Sequence, residues 1–173
     1  MFVTTPLSML RAGPPPLDDL QQLRIERECE RLALRYTHYV DSGAAEKVVD
    51  LFTEDGVWEV GSTRLAGEEA LRRFFAARQA MKARASLHVV TNHLVEVIDA
   101  DHARGTSYLV HFVDDDDRGA EPRAMEQQPV RVGLYQDEYE RTTNGWRIKR
   151  RRVVTTFERS DAASIEKVFD NGK

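Results

Sequence analysis

The sequence contains one cysteine, Cys29, and no long hydrophobic run. One cysteine excludes an internal disulfide and a thiolate zinc cluster, so a reducing compartment is expected and the chain is predicted to be cytoplasmic. The first residues have neither the basic segment nor the unbroken apolar stretch of a secretory leader or a membrane span. A formal net charge of only −4 gives no general attraction for nucleic acid or anionic lipid, so neither partner is predicted.

The motifs of the common cofactor-dependent enzymes are also missing. The sequence has no GxGxxG fingerprint, no phosphate-binding P-loop, no GxSxG elbow and no HExxH pair. In the acidic stretch 114–129, Asp114 and Asp116 alternate as in a calcium loop, but Met125 stands where a bidentate glutamate is needed. We interpret this stretch as a solvated loop, and no metal or organic cofactor is predicted.

Length and composition predict one globular domain. Of the 173 residues, 41% are hydrophobic and 31% are charged. A chain of this length and composition can form one hydrophobic core but is too short for two. A flexible, proline-rich tail is expected over 1–16 and the domain over 17–160. A short helix and a frayed tail are expected over 161–173.

Helical periodicity dominates the first half of the chain, and a period of two replaces it after about Ala85. The predicted elements are helices over 17–41, over 44–52 and from 67 onward, a turn over 53–56, and strands over 57–60, 87–98, 103–113, 130–141 and 146–157. Asn144-Gly145 suits a tight hairpin, so the last two strands are expected to be antiparallel neighbours. We therefore predict an α+β fold in which a curved antiparallel sheet wraps around the N-terminal helices and forms a pocket.

A few polar residues stand inside apolar patterns. Tyr36 and Asp41 belong to the end of the first helix, and His88 and His111 lie in the first two long strands. Each alone is compatible with a structural role. Together they make chemical sense, because a carboxylate beside a histidine fixes its tautomer and leaves the other ring nitrogen as a general base. Strict alternation places His93 on the opposite face of the strand from His88.

Five segments in a fixed order carry a family resemblance. They are YTHYVD (36–41), LFTEDG (51–56), LHVVTN (87–92), YQDEY (135–139) and GWRI (145–148). With the order of helices and strands, they make the chain resemble the SnoaL-like branch of the nuclear-transport-factor-2-like superfamily over residues 17–157. The resemblance implies a cone-shaped α+β barrel, no metal or organic cofactor, and a homo-oligomer, either a dimer or a trimer.

Within that superfamily the chain is similar to scytalone dehydratase, hexachlorocyclohexane dehydrochlorinase and bile-acid 7α-dehydratase. These lyases have an aspartate after the first helix and a histidine in the first long strand that act as a dyad, and the matching positions are Asp41 and His88. The bile-acid dehydratase pattern implies a role for Tyr36, and it has an acid where this chain has His111. The dehydrochlorinase pattern has an arginine that matches Arg151.

The leading hypothesis is a cofactor-independent lyase, a dehydratase or dehydrohalogenase, that acts on a small hydrophobic cyclic molecule. His88 would remove the proton and Asp41 would orient His88, while Tyr36 with His111 or Arg151 would assist the leaving group or a carbonyl oxygen. One alternative is a SnoaL-like isomerase or polyketide cyclase. The other is a non-catalytic module of the same fold that binds a ligand or another subunit.

Overall fold

The computed structural model describes residues 16–115 and 128–160. Most of the predicted tail over 1–16, most of the acidic loop over 114–129 and the predicted C-terminal helix over 161–173 lie outside these ranges. In the described ranges, no helix is long and apolar enough to cross a membrane.

Two α-helices pack against one face of a curved sheet, as predicted, and the sheet has six strands. In chain order the elements are α1 (Asp19–Asp41), a 3₁₀ helix (Ala45–Leu51), β1 (Phe52–Val60), β2 (Thr63–Ala66), α2 (Glu68–Ala80), β3 (Ala85–Val97), β4 (His102–Asp114), β5 (Arg131–Thr142) and β6 (Gly145–Glu158). One local prediction was wrong, and one strand was not predicted. The expected turn over 53–56 is part of β1, and β2 was not predicted.

The strand order is β2-β1-β6-β5-β4-β3. Neighbouring strands are antiparallel, as predicted, except β1 and β6, which are parallel and whose pairing was not predicted. β1 and β6 are far apart in the sequence, so no short turn between them indicates whether they run parallel or antiparallel. Across the described residues the sheet is not closed, and β2 and β3 form its two edges.

The first helix determines where the site lies. Asp18 caps it, because the Asp18 side chain accepts from the backbone N–H of Gln21 while the Gln21 side chain accepts from the Asp18 N–H. A buried stripe at helical spacing faces the sheet and consists of Ile25, Cys29, Leu32, Tyr36 and Val40. The helix packs mainly on β3, so Asp41, its last residue, lies beside the first residues of that strand.

A bulge interrupts β3. The register with β4 shifts between Thr91 and Leu94, and Asn92 has a φ angle of 52°. The inserted residue reverses the alternation of side chains beyond it. The Nε2 atom of His93 is consequently buried in the interior, so the prediction that His93 lies on the opposite face from His88 was wrong.

The outer face of the sheet carries exposed apolar side chains on several strands. Leu87 and Val89 on β3, Tyr108 on β4 and Phe157 on β6 are 57%, 40%, 56% and 69% exposed. The register aligns Tyr108 with Leu134 and Val110 with Val132 and joins these strands into one surface. We call this surface the outer apolar face.

Candidate active site

Asp41 and His88 form a close pair between the end of α1 and β3. The Nδ1 atom of His88 lies 2.6 Å from Oδ1 of Asp41, and the backbone N–H of His88 donates to Oδ2 at 2.8 Å. Both side chains are largely buried, with 9% of His88 and 16% of Asp41 exposed. Because the carboxylate holds the ring through Nδ1 and the strand through its amide, His88 has one fixed orientation and its Nε2 atom remains available as a base.

Ser86 extends this pair into a short network. Its hydroxyl donates to Oδ1 of Asp41 at 3.1 Å and lies 3.2 Å from Nε2 of His111. A hydroxyl has one proton, and here the carboxylate receives it, so Nε2 of a neutral His111 must donate to the serine oxygen. These bonds also offset the unfavourable position of a carboxylate at the negative end of a helix.

The rings of His88 and His111 stack across β3 and β4, where the two residues are directly opposite each other. Their centroids are 3.9 Å apart and their planes are 15° from parallel. Burial lowers the pKa of His111 well below its ordinary value, and the positive charges of His88 and three nearby arginines lower it further. His111 is therefore neutral at neutral pH.

Tyr36 presents a hydroxyl whose proton is uncommitted. Its oxygen accepts from Nε1 of Trp58 at 2.9 Å, while no acceptor for its own O–H is found in the described part of the chain. Burial raises the pKa of Tyr36 to about 12, so the hydroxyl stays protonated at neutral pH. It can donate a hydrogen bond to an oxygen or halogen in the cavity.

Arg151 is fully buried and belongs to a different cluster. Its guanidinium binds Asp137 through two hydrogen bonds of 2.8 and 2.6 Å, and it lies over the rings of Tyr36 and Tyr135. Burial alone lowers the pKa of Arg151, but Asp137 outweighs it and raises that pKa above its ordinary value. Arg151 does not line the cavity beside His88, but the rings of Tyr36 and Tyr135 that it contacts do.

A small cavity of about 80 Å³ adjoins these residues. Its walls are largely aromatic, and they include Tyr36, Trp58, Phe74, Phe75 and Tyr135 together with both stacked histidines. A cavity of about 150 Å³ accommodates a benzene-sized ligand, so a cyclic molecule would have to extend beyond this one. Of the predicted site residues, the structure therefore brings Tyr36, His88 and His111 to one cavity, with Asp41 directly behind His88.

Several residues of the site were not predicted. Ser86 lies two residues before His88, and the period of two along a strand places both on one face. Arg78, Arg84 and Arg131 also line the cavity. Only Arg78 had a signal in the sequence, because it is a charged residue on the apolar stripe of α2. Among the described residues, no three His, Cys, Asp or Glu side chains are grouped to bind a metal ion.

Structural neighbours share this architecture. A scytalone dehydratase-like protein from Novosphingobium aromaticivorans is 19% identical with a TM-score of 0.69, and the match covers 85% of this chain and 94% of that one. A hexachlorocyclohexane dehydrochlorinase is 17% identical with a TM-score of 0.67, covering 85% and 95%. An NTF2-like protein with a cystatin-like fold from N. aromaticivorans is 26% identical with a TM-score of 0.64, covering 90% and 98%. These similarities establish the fold.

Sequence comparison assigns the family. No protein with a curated description matches the chain significantly. The model of the SnoaL-like domain matches residues 21–152, a range that includes nearly all of α1, all of α2, the Asp41–His88 pair and most of the sheet. This chain belongs to the SnoaL-like domain family.

Proposed function

We propose that this protein is a cofactor-independent lyase that eliminates water or a hydrogen halide from a small hydrophobic cyclic molecule. The observation that carries the proposal is the 2.6 Å contact between His88 Nδ1 and Asp41 Oδ1 beside an aromatic cavity. The fold is also that of neighbours described as a dehydrochlorinase and as scytalone dehydratase-like.

In the proposed reaction, Nε2 of His88 removes a proton from a carbon of the substrate. The electrons of the broken C–H bond form a double bond to the adjacent carbon, and the bond from that carbon to the leaving group breaks. Halide leaves with its electron pair, and His88 then releases the proton to solvent. A hydroxyl group instead takes that proton from His88 and leaves as water. Asp41 stabilises the imidazolium formed in between and preserves the ring orientation.

Tyr36 assists the departing group or a neighbouring carbonyl oxygen by donating its free O–H. Because its pKa is raised to about 12, the Tyr36 hydroxyl keeps its proton and acts as a hydrogen-bond donor, not as an acid. Such a hydrogen bond stabilises a negative charge that develops on the substrate. It also supports the alternative of an isomerase or cyclase, because those reactions form an enolate without expelling a group. Product mass separates the two, since elimination lowers the mass and isomerisation leaves it unchanged.

The experiment is a screen of cyclic β-hydroxyketones and halogenated cyclohexanes, with products identified by mass spectrometry. On the best substrate, His88→Ala should lower kcat by ~10²-fold or more, as expected for loss of a general base. The matched control is His102→Ala, because His102 forms a similar pair with Asp99 at 2.9 Å on the surface and should be replaceable without effect. Equal turnover by wild type and His88→Ala would refute the proposal and favour a non-catalytic binding module.

A further inference from the structure

Arg78 is a charged residue on a face that otherwise faces the core. It follows Phe74 by one helical turn on α2, and Leu71, Phe74 and Phe75 on the same stripe are buried. The exposed arginines of the helix, Arg72 and Arg73, lie on the opposite side. The guanidinium of Arg78 therefore extends into the wall of the cavity that contains His88 and His111.

The two other arginines of the cavity wall are neutralised. Arg84 forms a two-bonded pair with Asp115 at 2.5 and 2.9 Å, and Arg131 forms a pair with Glu158. Arg78 has neither a hydrogen bond nor an ion pair through its side chain within the described residues. Among the described residues, no carboxylate lines the cavity wall, so Arg78 is the one arginine of this described wall without a bonded acid.

The surroundings of Arg78 do not favour an unpaired cation. Burial lowers the pKa of Arg78, and the neighbouring charge of Arg84 lowers it further. Two acids, Asp41 and Asp115, raise the pKa of Arg78 in the opposite direction. They are bonded to His88 and Arg84 and not to Arg78. A half-buried guanidinium with unused donors is a binding group for a planar anion, because its paired N–H groups match the two oxygens of a carboxylate.

We infer that Arg78 is a substrate-recognition residue that binds the carboxylate of a cyclic organic acid whose ring lies on the aromatic wall of the cavity. The inference rests on the proposed function only in taking this cavity as the substrate site, and it narrows the substrate class from a hydrophobic ring to a hydrophobic ring with an anionic group. Arg78 binds the anion, and His88 acts on a carbon of the same molecule.

Binding of benzoate and benzamide tests this directly. The two probes have nearly the same shape and differ in charge, and ligand-observed NMR or calorimetry measures both without any turnover. Wild type should bind benzoate at least about tenfold more tightly than benzamide, as expected for a charge-assisted bidentate contact. Arg78→Gln should reduce that ratio to about one, while Arg78→Lys should keep part of it because the charge remains.

Arg73→Gln is the matched control, because it removes the same charge from an exposed position of the same helix and should leave the ratio unchanged. His88→Ala should retain the benzoate preference even if it abolishes turnover, which separates failure of the inference from failure of the proposed lyase activity. Equal binding of the two probes by wild type, no detectable benzoate binding, or an undiminished preference in Arg78→Gln would each overturn the inference.

Discussion

The imidazole rings of His88 and His111 stack 3.9 Å apart, and only His88 is bonded to a carboxylate through its own ring nitrogen. Two stacked imidazolium ions would repel each other strongly in a buried setting. His111 is the neutral member of the pair, because burial and the neighbouring positive charges lower its pKa. The lowered pKa of His111 also makes the stability of the free protein depend on pH.

We expect the protein to lose stability as the pH falls below about 6.5, the ordinary histidine pKa. Burial lowers the pKa of His111 and of His93 in the folded chain, so the unfolded chain binds protons first. The contribution of each histidine is complete above its unfolded pKa and is lost as the pH falls towards the folded pKa, with a slope of up to ~1.4 kcal/mol per pH unit.

Urea unfolding between pH 8 and pH 5 measures this dependence. His111→Gln keeps a donor for Ser86 and removes the titrating ring, so the free energy of unfolding of that variant should depend less steeply on pH. An identical slope for wild type and His111→Gln would show that His111 is not held neutral.

Tyr36→Phe should lower kcat by ~10-fold to 10²-fold, because it removes the donor proposed to stabilise negative charge. It also leaves the buried N–H of Trp58 without its acceptor, which should cost ~1 to 3 kcal/mol of stability.

Tyr139→Phe is the matched control for Tyr36. Its hydroxyl donates to Asp137 at 2.8 Å, away from the cavity, so its loss should affect stability and leave kcat nearly unchanged. If both variants lowered kcat equally, the effect would be structural and Tyr36 would not be the donor.

Arg151→Gln should destabilise the fold by ~3 to 5 kcal/mol, because it leaves the buried carboxylate of Asp137 without its cation. Denaturant unfolding measures the change, and the double variant Arg151→Gln, Asp137→Asn should recover part of it. Arg78→Gln should show no comparable loss, since no ion pair is broken. Full stability in Arg151→Gln, with activity lost, would instead indicate a direct role in catalysis.

The predicted homo-oligomer is expected to form when the outer apolar face packs on a second copy of the chain. Large exposed apolar patches are unusual on monomers, and homodimer interfaces are the more apolar class. Val89→Lys should shift the mass measured by light scattering towards the monomer, whereas Leu34→Lys, an exposed apolar position on α1, should not. A monomeric wild type at micromolar concentration would contradict the prediction.

The sequence predicted the helices and long strands well because apolar periodicity is a local property. It also drew attention to Asp41 and His88, as polar residues in apolar patterns and through the family resemblance, and the structure places their side chains 2.6 Å apart. Their catalytic role stays a prediction. The parallel pairing of β1 with β6 was missed because it joins distant segments. The position of His93 depends on a single inserted residue near Asn92, which alternation alone does not reveal.

Charged residues were the hardest to assign. Arg151 was expected near the substrate, but Asp137 is on the inner face of β5 between Tyr135 and Tyr139 and binds it in the core. Which acid pairs with Arg151 depends on the register between β5 and β6, which places Asp137 directly opposite it. Arg78 lies on α2, and its lack of a partner among the described residues depends on how that helix packs in the folded chain.

The tautomer of His88 is the most direct test of the central claim, that Asp41 fixes this ring as a base. Long-range ¹H–¹⁵N correlation NMR at pH 8 should show a proton on Nδ1 and a bare Nε2 in wild type, and Asp41→Asn should disturb that state. A proton on Nε2 of wild-type His88 would contradict the account, because the atom assigned to remove the substrate proton would already hold one.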